Sequence, residues 1–264
     1  MISLYTTAFN LGSFAYSLDE AISNWLYYVD EVVIATIPKD HKELLKKIEN
    51  LDAFYRNKIK VISEDIKIPE DIYWDGKIKN IALQNCSNNI VIQVDLDERL
   101  SGSKDGYIQV AQHLQSHDFA CSAMLPTVNL YKDLDHFKDI GYKWYMHKKE
   151  GSFRGPVNFA VKEDGCFDPE KSDTCELVDS QGNLIPCICK TELTANDPKI
   201  IHLGFLDLQK RADLNKGFWR DIWSERKSLS QQTYIEATDV VTDISDFEET
   251  AQKHNLPQPL WPNL

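Results

Sequence analysis

The sequence lacks several features that define whole classes of protein. No apolar run approaches the roughly 20 residues that a membrane-spanning helix needs, and 29 lysines and arginines face 41 aspartates and glutamates. The net charge of −12 argues against a protein that grips a nucleic-acid backbone, because that task needs a basic surface. The start, Met1–Tyr5, also lacks the basic region of a secretory signal. We therefore expect a cytoplasmic protein with no nucleic-acid partner and no transmembrane segment.

Cysteine pairs with the CxxC spacing of a zinc site are missing as well. The six cysteines stand at positions 86, 121, 166, 175, 187 and 189. We interpret them as structural thiols in a reducing compartment. An extended segment would place Cys187 and Cys189 on one face, so a four-thiol zinc cluster is the alternative.

An apolar segment that ends in acidic residues is the most informative feature present. The run from Asn89 to Ser101 is rich in β-branched residues and ends in Asp95 and Asp97, one residue apart. Because side chains alternate along a strand, we predict both carboxylates on the same side at a sheet edge. Paired carboxylates suit Mg²⁺ or Mn²⁺. Such a cation commonly neutralises substrate phosphates.

Strand and helix patterns alternate through the first half of the chain. Apolar runs predict strands at 2–8, 30–37 and 59–63, before the aspartate run. Composition and charge spacing predict helices at 15–25, 41–51 and 77–86, with Ser13 or Ser17 capping the first. This alternation predicts a three-layer α/β/α fold with a mostly parallel central sheet. Its ligand site is expected at the carboxyl ends of the strands.

The second half of the sequence is less regular. We predict a helix at 107–115, strands at 119–129 and 200–203, and a charged helix at 206–230. Pro126 is expected to break the first of these strands. The aromatic and basic segment 142–161 contains Trp144 and Tyr145, which either stack on a sugar or belong to the core.

Four short motifs follow one another along the chain. They are Lys79-Asn-Ile-Ala-Leu83, Val94-Asp-Leu-Asp-Glu-Arg-Leu-Ser101, Phe153-Arg-Gly-Pro-Val157 and Ile201-His-Leu-Gly-Phe205. Together they resemble motifs of the family 2 glycosyltransferases, which are inverting, metal-dependent enzymes with the GT-A fold. The similarity is greatest to bacterial enzymes that add sugars to cell-surface glycans of the lipopolysaccharide core or capsule type.

The resemblance implies a set of site residues and partners. The Mn²⁺ or Mg²⁺ ligands would be Asp95, Asp97 and His202. The residues contacting a UDP-type or GDP-type sugar nucleotide would be Thr7, Asp40, Lys79, Asn80 and Asp95. The first candidates for the catalytic base are Glu163 and Asp164, and the second are Glu150 and Asp168. The acceptor would be a glycan or a lipid-linked molecule, which is compatible with peripheral membrane association.

The resemblance also implies a division of the chain. Residues 1–215 would form one catalytic domain, with a nucleotide-sugar-binding half at 1–125 and an acceptor-side half at 126–215. Residues 216–264 would form a C-terminal helix and tail packed on it.

Two departures from the family pattern affect these expectations. Where relatives have two aspartates after the second strand, Ile34–Asp40 keeps only Asp40. Where relatives have His-Glu after the third motif, this chain has Asn158 and Phe159. The glutamate that would serve as base is therefore absent, which moves attention to Glu163 and Asp164.

Other interpretations compete with this one. A haloacid-dehalogenase-type phosphatase also has Asp-x-Asp after a strand, but three predicted strands precede the motif here and Arg99 stands where Thr or Val is expected. A nucleotidyltransferase would show a glycine-rich, basic loop after the first strand, which Thr6–Gly12 does not supply. A non-catalytic binding or assembly module remains the alternative from another class.

Single residues also have plainer interpretations. His202 could be a core histidine, and Lys79 and Asn80 could be ordinary helix-surface residues. Arg154 either faces phosphate or acceptor or lies on the surface.

Overall fold

The computed structural model describes residues 1–8, 17–66, 74–131, 133–155, 176–194, 196–205 and 252–253. The first half alternates strands with helices: β1 (Ile2–Thr7), α1 (Leu18–Tyr28), β2 (Glu31–Thr36), α2 (Pro38–Glu49), α3 (Ala53–Arg56), β3 (Ile59–Ser63), α4 (Trp74–Gln84) and β4 (Ile90–Gln93). The second half is mostly strands: β5 (Glu98–Ser101), α5 (Lys104–Gln115), β6 (Ser122–Tyr131), β7 (Asp133–Lys148), β8 (Phe153–Gly155), β9 (Glu176–Val178), β10 (Cys187–Lys190), β11 (Lys199–Phe205) and β12 (Gln252–Lys253).

A ten-stranded sheet forms the centre of the fold, in the order β3-β2-β1-β4-β7-β6-β11-β5. Strand β10 also pairs with β6, and β12 with β7. Strands β3, β2, β1 and β4 are mutually parallel, whereas β7 is antiparallel to both β4 and β6. Among these ten strands only β7 and β5 oppose the others, which leaves eight that run the same way. The sheet is therefore mostly parallel, as predicted.

Helices cover both faces of this sheet. In β1, Leu4 packs with residues of α1, α2 and α5, whereas the next residue, Tyr5, packs with residues of α4. This alternation follows from the two-residue period of a strand, which sends successive side chains to opposite faces. The predicted three-layer α/β/α fold with a mostly parallel central sheet is confirmed.

Helix starts show how closely the local sequence specifies the first half. Ser17 caps α1 by accepting a hydrogen bond from the Glu20 N–H, so the helix begins at Leu18 rather than at Ala15. Pro38 begins α2, which starts three residues before the predicted His41. Proline suits this first position because its fixed φ matches the helix and its missing N–H would have no partner there.

Pro126 does not break β6, so that prediction was wrong. The strand runs unbroken from Ser122 to Tyr131, and Pro126 lies opposite Tyr142 of β7. On its other side, β6 pairs with β10 up to Met124 and with β11 from Thr127 onward. Proline therefore falls where the described strands form no ladder on that side.

Several predictions fall on residues outside the described ranges. They include the helix at 206–230 and the cysteines at 166 and 175. The predicted division at residue 215 stays a prediction for the same reason.

Candidate active site

The order of the strands defines where a ligand site is expected. Strands β2 and β3 lie on one side of β1, and β4 lies on the other, so the direction of winding reverses between β1 and β4. In open α/β sheets, ligands bind beyond the carboxyl ends of the strands at such a reversal. Thr7, which is buried, ends β1, and Asp95 follows β4 by two residues. Thr7 and Asp95, two of the predicted site residues, therefore lie at the edge of the sheet where a ligand is expected.

A turn, not a strand, presents the two aspartates. Strand β4 ends at Gln93, and the Glu98 N–H donates to the Asp95 carbonyl at 3.0 Å. The prediction that strand alternation places Asp95 and Asp97 on one side is therefore wrong. The turn gives the two carboxylates different neighbours.

The two residues that follow the aspartates brace this turn from inside. Glu98 and Arg99 are each only 2% exposed. A carboxylate oxygen of Glu98 accepts a hydrogen bond from the Asp95 N–H at 2.8 Å, and the Arg99 guanidinium donates to the Leu96 carbonyl at 2.9 Å. The Glu-Arg of the motif thus holds backbone groups of the turn.

Asp97 faces a histidine from the far end of the chain. Its Oδ2 lies 3.1 Å from Nε2 of His202, and the two side chains are 13% and 17% exposed. Strand β11 is held there because the Leu203 N–H donates to the Asp97 carbonyl at 2.8 Å. The other ring nitrogen of His202, Nδ1, lies 2.6 Å from Oδ1 of Asn129.

The tautomer of His202 decides what this pair can do. With Nδ1–H donating to Asn129 Oδ1, Nε2 carries its lone pair toward Asp97, where a divalent cation could join the two groups. With a proton on Nε2, the ring donates a hydrogen bond to Asp97 instead. The 3.1 Å distance suits both arrangements, because neighbouring ligands of an octahedral cation at about 2.1 Å lie roughly 3 Å apart.

Gly204 lets this pair pack directly against the backbone of β11. Between Asn129 and Tyr131 β6 advances two residues, whereas β11 advances three, from His202 to Phe205, which forms a bulge at Gly204. A Cβ on Gly204 would lie 2.5 Å from His202 Nε2 and 3.1 Å from Asp97 Oδ2. Any other residue would press on the atoms that face each other.

Asp95 lies in a different environment. Its side chain is 46% exposed, and Oδ1 accepts from the Gln93 amide at 3.1 Å and lies 3.9 Å from Lys79 Nζ. Within the ranges that the structure describes, no three His, Cys, Asp or Glu side chains are grouped so as to hold a metal. The structure therefore brings together two of the three predicted metal ligands, Asp97 and His202.

The two predicted nucleotide contacts on α4 have different surroundings. Lys79 Nζ lies 3.1 Å from the Asp75 carboxylate, which places a cation beside Asp95. Asn80 forms two 2.7 Å hydrogen bonds with the Arg154 backbone, donating to its carbonyl and accepting from its N–H. Asn80 thus ties α4 to β8, and its contact with a nucleotide stays a prediction.

Arg154 belongs to a buried polar chain rather than to the surface. Its Nε donates to the Tyr5 hydroxyl at 2.8 Å, and that hydroxyl donates to His147 Nε2 at 2.9 Å. His147 Nδ1 in turn donates to the Lys148 carbonyl. Burial, and then the charge of Arg154, lower the pKa of His147 to about 3. The imidazole is therefore neutral at pH 7, so its Nε2 can accept the hydrogen bond from the Tyr5 hydroxyl.

The remaining predicted residues divide by location. Asp40 is buried in the first turn of α2, just after β2 ends at the same edge as Thr7. Glu150 accompanies Asn89 at the opposite end of β4, roughly 20 Å from Asp95 along the strand, which excludes it as a base there. Glu163 and Asp164 lie outside the described residues.

Reasoning from the sequence missed the residues that hold the site in shape. Asn129 and Gly204 were not assigned roles, although Gly204 follows the singled-out His202 by two residues, and Tyr145 was expected only to stack on a sugar or belong to the core. The Tyr145 hydroxyl donates to Glu98 at 2.7 Å. Burial and the nearby Glu98 raise the pKa of Tyr145 well above its usual value, so the hydroxyl keeps this proton.

Comparison with known proteins gives structural likeness only. No protein-family model and no curated protein matches the chain. Similar solved structures include S. aureus TarS 1-349 in complex with UDP, with a TM-score of 0.34 and 19% identity over 48% of this chain and 36% of that one. HddC from Yersinia pseudotuberculosis has a TM-score of 0.39 and 11% identity over 78% and 95%.

A third similar structure is the 4-diphosphocytidyl-2C-methyl-D-erythritol synthase from Anaerococcus prevotii. Its TM-score is 0.33, with 11% identity over 90% of this chain and 81% of that one. The chain spans about a third of the TarS structure named first. Because all three TM-scores are below 0.5, the function proposed below rests on the geometry of the site.

One further observation concerns membranes. Within the described ranges, every helix is too short or too polar to cross a bilayer.

Proposed function

We propose that this protein transfers a sugar from a nucleotide-diphosphate sugar to an acceptor hydroxyl, with the help of a divalent cation. One observation carries the proposal: Asp97 Oδ2 and His202 Nε2 lie 3.1 Å apart at the carboxyl end of β4. Gly204 allows this approach, because a side chain there would collide with both groups. A carboxylate and an imidazole that meet beyond the carboxyl ends of parallel strands suit a metal that binds phosphates.

Asp97 and His202 would hold Mn²⁺ or Mg²⁺, with diphosphate oxygens as further ligands. Bound there, the cation supplies neutralisation of the charge that develops on the departing diphosphate. Two protein ligands are enough for this task, because Mg²⁺ at such sites usually keeps waters and substrate oxygens in its shell.

The protein's own groups would orient the donor. Asn129 Oδ1, 2.6 Å from Nδ1 of His202, would accept the Nδ1 proton and so direct the Nε2 lone pair toward the site. Asp95 is the group with the exposure to accept from a ribose hydroxyl, and Lys79 stands beside it as a cation for phosphate. Thr7 and Asp40 border the same edge from β1 and α2.

The transfer itself requires one base. The bond from the anomeric carbon to the diphosphate breaks, the acceptor oxygen bonds to that carbon, and the acceptor proton passes to a carboxylate. Glu163 and Asp164 are our candidates for that carboxylate. Attack opposite the leaving group would invert the anomeric centre, as in the family 2 enzymes that the motifs resemble.

The finer parts of the proposal follow the same resemblance. The donor would be a UDP or GDP sugar, and the acceptor a glycan or lipid-linked molecule in surface-glycan synthesis. The reaction would take place in the cytoplasm, with peripheral contact to the membrane where the acceptor is lipid-linked.

Removing the cation ligand tests the proposal most directly. In Asp97→Asn, calorimetry with Mn²⁺ and a panel of UDP, GDP and CDP sugars should show binding weakened about 100-fold or more, with the melting temperature nearly unchanged. Asp105→Asn removes an equivalent charge at an exposed position in the first turn of α5 and should bind as the wild type does.

Release of the nucleoside diphosphate in a turnover assay completes the test. If the wild type binds no sugar nucleotide with Mn²⁺, the proposal fails. Pyrophosphate release from a nucleoside triphosphate and a sugar phosphate would identify a nucleotidyltransferase instead. Binding without turnover of any acceptor would favour a non-catalytic module.

A further inference from the structure

Tyr145 reaches the carboxylate turn because of an irregularity in β7. In the pairing of β6 with β7, Ala123 lies opposite Met146, but Met124 lies opposite Trp144. Tyr145 is therefore the extra residue of a β-bulge, and a bulge redirects the side chain that it carries. The side chain is 2% exposed, and the hydroxyl points to Glu98.

The two oxygens of the Glu98 carboxylate link Tyr145 to the turn. Oε1 accepts from the Tyr145 hydroxyl at 2.7 Å, and Oε2 accepts from the Asp95 N–H at 2.8 Å. The Tyr145 oxygen also accepts a hydrogen bond from Thr127 at 3.1 Å. A carboxylate fixed at both oxygens cannot rotate without breaking one of these bonds, so its orientation is transmitted to the Asp95 backbone.

We propose that Tyr145, acting through Glu98, is a positioning residue that sets the placement of the Asp95–Asp97 turn for cation and nucleotide binding. This inference rests on the proposed function. Without the hydroxyl, one oxygen of a buried carboxylate loses a charge-assisted bond and the carboxylate reorients toward other donors. The Asp95 N–H then loses its fixed acceptor, and the turn that carries both aspartates shifts. Outer groups of this kind commonly change metal affinity about tenfold or more.

A second buried tyrosine provides a matched control. The Tyr107 hydroxyl donates to the Ser101 carbonyl at 3.1 Å and the Lys199 carbonyl at 2.9 Å. It thereby joins β5, the strand that begins with Glu98, to β11 at the end away from the turn. Tyr107→Phe removes an equally buried hydroxyl, so it reports what the loss of such bonds does to the fold alone.

The experiment compares Tyr145→Phe with Tyr107→Phe. Mn²⁺ binding is followed by electron paramagnetic resonance, and binding of UDP and GDP with Mn²⁺ by calorimetry, beside the melting temperature. We expect about tenfold weaker Mn²⁺-dependent nucleotide binding in Tyr145→Phe. Tyr107→Phe should lower the melting temperature to a similar extent with affinity unchanged. Equal affinity in the wild type and Tyr145→Phe, or equal losses in both variants, would overturn the inference.

Two further results keep the inference separate from the proposed function. If Tyr145→Phe does not fold, Glu98→Gln, which places an NH₂ against one of the two donors, should show the same tenfold loss; wild-type affinity there would overturn the inference. If the wild type binds Mn²⁺ and nucleotide but transfers no sugar, the proposed function fails while the Tyr145 effect stands. A wild type that binds neither nucleotide with Mn²⁺ removes both.

Discussion

Carboxylates at the two ends of the parallel strands have different surroundings. At the amino edge of the sheet, where the parallel strands begin, the Glu31 carboxylate accepts hydrogen bonds from the Ser3 hydroxyl and from both the N–H and the hydroxyl of Ser87. At the carboxyl edge, the Asp97 carboxylate faces a histidine nitrogen whose other ring atom is already paired with Asn129. Glu31 accepts three hydrogen bonds from serines, whereas Asp97 faces an imidazole nitrogen that either donates a proton to it or, under the proposed function, binds a cation beside it.

Under the proposed function, this difference separates a structural carboxylate from a metal-binding one. Glu31 joins β1, β2 and the segment before β4. Asp97 and His202 would share a cation, and Gly204 lets both side chains pack against the backbone of β11. The hydrogen-bond donors around a carboxylate, rather than the acidic residue itself, thus distinguish a structural role from a ligand-binding one.

Filling the space at Gly204 should break this contrast most strongly. In Gly204→Ala, the new methyl carbon would lie 2.5 Å from His202 Nε2 and 3.1 Å from Asp97 Oδ2, which forces these groups to shift, so Mn²⁺-dependent nucleotide binding should fall about 100-fold or more. Calorimetry measures the loss. Gly141→Ala is the control, because a Cβ at Gly141 of β7 meets nothing within 4 Å. If Gly204→Ala binds as well as the control, the cation does not lie beside these atoms.

Removing the charge of Lys79 should have a smaller effect on the same edge. Lys79→Gln takes away the cation beside Asp95 and should weaken UDP or GDP binding about tenfold, a loss that shrinks as salt is added. Mn²⁺ binding measured without nucleotide should not weaken, since a repelling charge has been removed. The exposed Lys77→Gln on the same helix should leave both affinities unchanged. A loss in Mn²⁺ affinity would place Lys79 among the supports of the cation site instead.

Glu31→Gln should affect only the amino edge. Burial raises the pKa of Glu31, but the hydrogen bonds from Ser3 and Ser87 and the charge of Lys60 outweigh it, so the pKa lies below its usual value. A lowered folded-state pKa means that the stabilisation is present above the unfolded value of about 4.3 and is lost as the pH falls through the folded value. Glu31→Gln should therefore lower the free energy of unfolding at pH 7 by about 1 kcal/mol, after allowance for solvent screening.

Denaturant titrations at several pH values measure this effect. The variant should lose less stability than the wild type between pH 5 and pH 3, because it lacks the carboxylate whose pKa is lowered in the folded protein. Its Mn²⁺-dependent nucleotide binding should match the wild type. A binding defect in Glu31→Gln would show that the two edges are coupled and that the contrast does not hold.

The first half of the fold follows from local sequence because its elements are regular and strongly apolar. Strand β3 has the predicted bounds, Ile59–Ser63, and Ser17 is one of the two caps expected for α1. Strand β7 was not predicted, since its 16 residues mix charges with aromatics and show no simple alternation. Pairing with β4 and β6 makes this segment a strand, and that is a property of the assembled sheet.

The site was predictable only in part, for a related reason. The sequence points to Asp97 and His202 as site residues, and the structure brings them together across 105 positions of the chain. Asn129 and Tyr145 carry no local signal, because their partners lie 73 and 47 residues away. Strand β5 was missed because its first two residues, Glu98 and Arg99, are charged and nevertheless buried. A buried charge is recognisable only once its partners are known.

The antiparallel pairing of β5 with β11 also has a consequence for the order of events during synthesis. The aspartate turn is translated about a hundred residues before the strand that brings His202 to it, as the 105-residue separation of that pair requires. A nascent chain can therefore complete β1 to β4 before Asp97 and His202 meet, since about a hundred further residues must be made first. An amino-terminal fragment that ends before β11 would keep the acidic turn but lack the histidine, and under the proposed function it would not hold the cation.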